Sequence, residues 1–131
     1  MKGYVADIES LTEENGDFRR VLYTGKHLQL VLMTIAPGSE IGEEVHRDHD
    51  QFFRIEDGRG EVVIDGHRAK IKDDYAIIVP AGARHNVVNT GDKPLRLYTL
   101  YAPPQHRDGT VRATRADAAA APEHFDGKTT E

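Results

Sequence analysis

PAGARHNVVN, residues 80–89, is the stretch whose reading decides the fold. Pro80 and Gly82 make a turn, and the Val87-Val88 pair continues as a strand that His85 enters near its start. Side chains alternate along a strand, so His85 and Val87 share a face. Upstream lies GSEIGEEVHRDHDQFFRIEDG, residues 38–58. Glu44 and His46 are two apart and can point the same way, while Gln51 opens the next strand with Phe53 and Ile55 on its inward face. Further outward the chain is a series of short β-branched and aromatic runs separated by Gly, Pro, Asp and Asn. The predicted strands are 18–24, 28–36, 42–46, 51–56, 60–65, 67–71, 76–80, 84–89 and 95–101. Asp65-Gly66 between two of them signals a type I′ hairpin. Many short strands without intervening helices point to an all-β sandwich or barrel rather than βαβ units.

The ends differ from the middle. Tyr4 to Ile8 is strand-like and is expected to act as an N-terminal arm that adds to a sheet edge, in its own barrel or in a partner's. After Ala102 the chain turns polar. Thr114 with Asp117 resembles a capping box, so one short C-terminal helix running to Pro122 is expected, then a frayed tail. The expected division is residues 1–17 as arm, 18–101 as barrel and 102–131 as extension.

Composition narrows the function classes. A length of 131 residues fits one domain, and 38% hydrophobic residues can supply one modest core. The absence of Cys excludes disulfides, thiolate metal sites and Cys nucleophiles. A net charge of −5 without a basic block argues against a nucleic-acid partner. No apolar run is long enough for a membrane span and no leader pattern follows Met1, so a cytoplasmic protein is expected. Seven His are the unusual feature.

Segment 80–89 reads P-x-G-x-x-H-x-x-x-N, which resembles the second signature of the cupin family of small β-barrels. Segment 38–58 resembles the first signature, G-x5-H-x-H-x3–4-E-x6-G, in altered form. Gln51 stands seven before Gly58, where the family has Glu; His46 matches the second family His; Glu44 stands at the first. Asp74 replaces a Gly of the second signature. The resemblance runs from about Val21 to Tyr101 and implies a single cupin barrel (a double-stranded β-helix, or jelly roll) with a short C-terminal helix. Small cupins pair, so it also implies a homodimer.

In the family these positions bind a divalent metal. The resemblance therefore implies a site of Glu44, His46, Gln51 and His85: two imidazoles, one carboxylate and one amide oxygen. That set suits Fe, Mn, Ni or Zn, one ion per chain. A Glu pointing into an apolar barrel is costly without a cation, which favours a working site over a relic scaffold. His49 is the alternative to Glu44, although its turn position suits a solvated loop residue or a gate at the mouth. His27, His67, His106 and His124 read as surface or turn histidines. Arg54 is expected to face outward, and Tyr98 and Tyr101 to lie on opposite faces of the last strand.

Cupins include dioxygenases, sugar-phosphate isomerases, decarboxylases and hydrolases, and the fold does not choose among them. No basic pocket is legible, which counts against a sugar phosphate. The expected function is metal-dependent, dioxygenase-like chemistry on a small polar metabolite that chelates through oxygen. No second acid–base pair beside the metal site can be read, so the catalytic residues stay unassigned, and no organic cofactor is expected. The alternatives are a non-catalytic metal- or ligand-binding module and a sugar-isomerase-like cupin.

Overall fold

The computed structural model describes residues 2–131. Its order is α1 (Ile8–Glu14), β1 (Arg19–Thr24), β2 (Gln29–Ile35), β3 (Glu44–Val45), β4 (Asp50–Asp57), β5 (Arg59–Ile64), β6 (His67–Lys72), β7 (Ala76–Val79), β8 (Arg84–Val88), β9 (Leu95–Ala102), β10 (Val111–Arg112) and α2 (Arg115–Ala120). The strands form two antiparallel sheets, ordered β10-β1-β2-β9-β4-β7 and β3-β8-β5-β6. Alternation does the sorting. Burial alternates strictly along β9, and in β4 Gln51, Phe53 and Ile55 turn inward. Val31, Met33, Ile35, Val79, Val87, Leu95 and Leu97 complete the apolar centre between the sheets.

Left-handed residues fall where the turns need them. Asp65 and Gly66 both have positive φ, as a type I′ hairpin between β5 and β6 requires. Asp74, the residue in place of the family's Gly, adopts φ 71°, a region that Asp tolerates better than most residues. A side chain at Gly58, with φ 102°, would also crowd the Pro94 carbonyl. At the C-terminal end, Thr114 caps α2 by accepting from the Asp117 N–H.

Two expectations for the ends are corrected. The N-terminal segment forms no strand. Asp7 caps a helix over Ile8–Glu14, which lies against β2, β4 and β9. Its C-cap Asn15 donates to Thr34 Oγ1 through its side chain and accepts from Thr34 and Arg96 at its carbonyl, fixing the helix to the sheet. The C-terminal tail is not frayed. Phe125 N–H donates to Gln105 O, and Thr130 pairs with Thr24 through both its N–H and its hydroxyl. The two ends meet where the Gly3 N–H and the Tyr23 hydroxyl both donate to Glu131. No described helix is long and apolar enough to cross a membrane.

Candidate metal centre

Glu44 and His85 are direct partners across the short β3–β8 ladder, which places one beside the other. His46 follows β3, and its carbonyl accepts from the Gly82 N–H at 2.8 Å. Gly82, with φ 87°, makes the turn that ties the two histidine segments together. The ligand-capable atoms of Glu44, His46 and His85 all lie within 4.8 Å of one another. His85 faces its Nδ1 to the Ala83 carbonyl at 3.1 Å. That contact places the proton on Nδ1 and leaves Nε2 free to donate a lone pair.

Two atoms test whether a cation fits. His46 Nε2 lies 2.7 Å from Glu44 Oε2, yet it is buried without a hydrogen bond of acceptable geometry. A close N···O pair that is not aligned for a hydrogen bond is how two ligands of one ion sit. Gln51 is 3% exposed, and its Oε1 is buried with no partner. Its neighbours reach the cluster: Phe53, on the same face, packs against His85, and Tyr101, its partner across β4–β9, stands edge-on to His46. A bare carbonyl oxygen, a carboxylate and two imidazoles form a donor set that suits a divalent ion. Burial pushes the Glu44 carboxyl up, but His46, Arg19 and His85 outweigh it and hold it below the usual carboxylate range.

The remaining histidines separate. His49 is half-buried, its Nδ1 lies 2.6 Å from the Pro103 carbonyl, and it stands edge-on to His46 outside the cluster. His106 is the correction: expected at the surface, it is 6% exposed. Its Nδ1 lies 2.7 Å from Glu123 Oε1 and its Nε2 lies 3.3 Å from the Tyr101 hydroxyl. Glu123 Oε2 accepts the Arg107 N–H. Burial opposes ionisation of Glu123, but His106, that N–H and Arg19 overcome it and hold the carboxyl at about 2. Burial lowers the His106 pKa despite Glu123. Burial, reinforced by Glu44, pushes the Tyr101 phenol well up. Tyr101 faces in and Tyr98 does not, while Arg54 reaches Asp74 on the outer side.

One cation went unread in the sequence. Arg19 lines a cleft of about 520 Å³ with Phe18, Ile41, Glu44, Arg115 and Ala118. Its Nε is buried without a partner. Arg115, across the cleft, is engaged by Glu40 and the Ile41 carbonyl. By alternation Arg19 shares the inner face of β1 with the buried Val21; what the sequence does not show is that this face meets Glu44 across the cleft.

Two facing antiparallel sheets that close on an inward cluster of carboxylate and imidazoles define a cupin barrel. The chain belongs to the cupin family, whose domain model matches residues 31–101. It is 49% identical to YrkC of Bacillus subtilis over 126 residues, covering 92% of this chain and 68% of that one. The crystal structure of BH2720 from Bacillus halodurans matches with a TM-score of 0.90 at 50% identity, covering 92% of this chain and 96% of that one. Polyketide synthase CurC of Streptomyces cyaneus is 30% identical over 105 residues, 76% of this chain and 67% of that one.

Proposed function

We propose that this cupin holds one divalent transition metal with Glu44, His46, Gln51 and His85 and acts on a small, anionic, oxygen-chelating metabolite. The observation that carries the reading is the buried, hydrogen-bond-free contact of His46 Nε2 with Glu44, with His85 beside them. An Fe, Mn, Ni or Zn ion bound by four protein donors keeps open positions and supplies polarisation of substrate oxygens, or O₂ chemistry in the case of iron. The chain's own residues do the rest. Arg19, bare on the Glu44 cleft, would meet a substrate's negative oxygen. Phe53, Val87 and Tyr101 wall the inner side and keep water out. An enolised dicarbonyl or a catechol satisfies both demands, chelation and negative charge. The relative CurC is a polyketide synthase protein, and polyketide chains are rich in 1,3-dicarbonyls, which favours the same class.

The other reading is a module that binds such a ligand without turning it over. Arg19 and Arg115 on the cleft also keep an anionic sugar-type substrate in view. Oxygen uptake or product formation by metal-loaded protein against a panel of dicarbonyls and catechols supports the enzyme. Tight binding of the panel without turnover supports the module.

A further inference from the structure

Gln51 is where the site departs from the family's carboxylate, and an amide brings a problem that a carboxylate does not. It can ligate only through oxygen; turned by half a rotation it aims an NH₂ group at the cation. Its surroundings fix the turn from two sides. On one side, the Thr99 hydroxyl gives its proton to the Phe52 carbonyl at 2.8 Å, so Thr99 Oγ1 can only accept from Gln51 Nε2, 3.0 Å away. On the other side stands Tyr101, the cross-strand partner of Gln51. The ionised Glu123 takes the Nδ1 proton of His106 at 2.7 Å, which leaves His106 Nε2 bare. Tyr101 then gives its own proton to that nitrogen, 3.3 Å away. With its proton given to His106, the phenol oxygen can meet the Gln51 amide across the β4–β9 pair only as an acceptor. Both neighbours of the amide take protons and neither offers one. Oε1 is the atom left over, buried and unpartnered.

We propose that Thr99 and the Glu123–His106–Tyr101 chain form a polarity lock that turns Gln51 Oε1, and not its NH₂, toward the Glu44–His46–His85 cluster. The lock rests on the metal reading above and makes Thr99, Tyr101, His106 and Glu123 positioning residues. It gives the C-terminal tail, which supplies Glu123, a part in the site through His106 and Tyr101. It also explains how a neutral amide can stand in for a Glu: the hydrogen-bonding shell supplies the orientation that a carboxylate, with two equivalent oxygens, does not need.

The test is a double-variant cycle read by calorimetric titration with Mn²⁺, Ni²⁺ and Zn²⁺. Thr99→Val and Tyr101→Phe each remove one acceptor while keeping shape, and each is made in the parent and in Gln51→Glu. In the parent both weaken metal binding by about 10- to 100-fold, the usual size of a lost outer-shell contact. In Gln51→Glu the same changes cost about threefold or less. Equal losses in the two backgrounds mean a structural role and overturn the lock, as does no loss in the parent. A second readout needs no metal. The Gln51 side-chain amide protons in the free protein should exchange slowly and show nuclear Overhauser contacts to the Tyr101 ring, and Thr99→Val should release one of them. Such signals in a parent that binds none of the ions would sink the metal reading and leave the lock standing. Fast-exchanging amide protons in a parent that binds metal would do the reverse.

Discussion

Replacing Glu123 by Gln removes the charge that ties the tail to the barrel. The carboxylate sits 2.7 Å from His106 Nδ1 and 2.7 Å from the Arg107 N–H, with its side chain 5% exposed. An amide keeps one acceptor and turns an N–H toward a second donor, so one of those two contacts is lost. Linkage sizes the loss. A carboxyl held at about 2 rather than its ordinary 4.5 contributes, at about 1.36 kcal/mol per pH unit, no more than about 3.4 kcal/mol. The pKa is depressed in the fold, so the contribution is complete above pH 4.5 and disappears as pH falls toward 2. His106 acts in the same direction. Its pKa is lowered in the fold, so below its ordinary value of 6.5 the unfolded chain takes a proton first and stability falls. Urea unfolding of the parent and Glu123→Gln between pH 7 and pH 2 reads this directly. The parent should be more stable by about 2–3 kcal/mol at pH 7. The gap should close across the acid range. A gap that stays constant with pH, or no gap at pH 7, would refute the reasoning.

Phe53→Ala, which empties a fully buried ring site beside His85, should cost about 3–5 kcal/mol in urea unfolding and lower metal affinity as His85 loses its support. Zn²⁺ or Mn²⁺ at about 100 times its Kd should raise parent stability by about 2.7 kcal/mol, and His85→Ala should abolish the rise in a thermal scan. Glu44→Gln should weaken metal binding more than Gln51→Glu, which adds a carboxylate; calorimetric titration ranks them. The apolar row Ile78–Phe52–Leu100–Leu30 crosses the outer face of the larger sheet. It suits a second copy of the chain, so Ile78→Glu should convert a dimer to a monomer in sedimentation.

Much of the barrel was legible because its strands are short, alternating and marked off by turn residues with one physical reading each. Asp65-Gly66 needs two positive φ values and has them; Thr114 needs an acceptor role at a helix start and takes it. The N-terminal helix was missed although its signals are present. Asp7 is a capping residue, and Ile8, Leu11, Thr12 and Asn15 repeat at helical spacing. The hydrophobic Tyr4-Val5 pair before them carries a competing strand signal. The four positions of the expected metal set follow from the family resemblance, whose signatures lie on two local segments; the structure brings Glu44, His46 and His85 of them together. His106, Glu123 and Arg19 could not. Each depends on where a distant segment returns to the barrel: the tail brings Glu123 to His106, and the segment of Glu44 returns to the cleft that Arg19 lines. A histidine in a polar segment carries no sign of burial when the group that satisfies it lies 17 residues on.

The metal account meets its most direct test in anomalous diffraction, across the Mn, Ni and Zn absorption edges, from crystals grown with each ion. The account predicts one peak per chain, about 2.0–2.2 Å from Nε2 of His46 and His85, from a Glu44 carboxylate oxygen and from Gln51 Oε1. A map without a peak inside the barrel would contradict it, as would an ion held by His49 with Glu44 turned away.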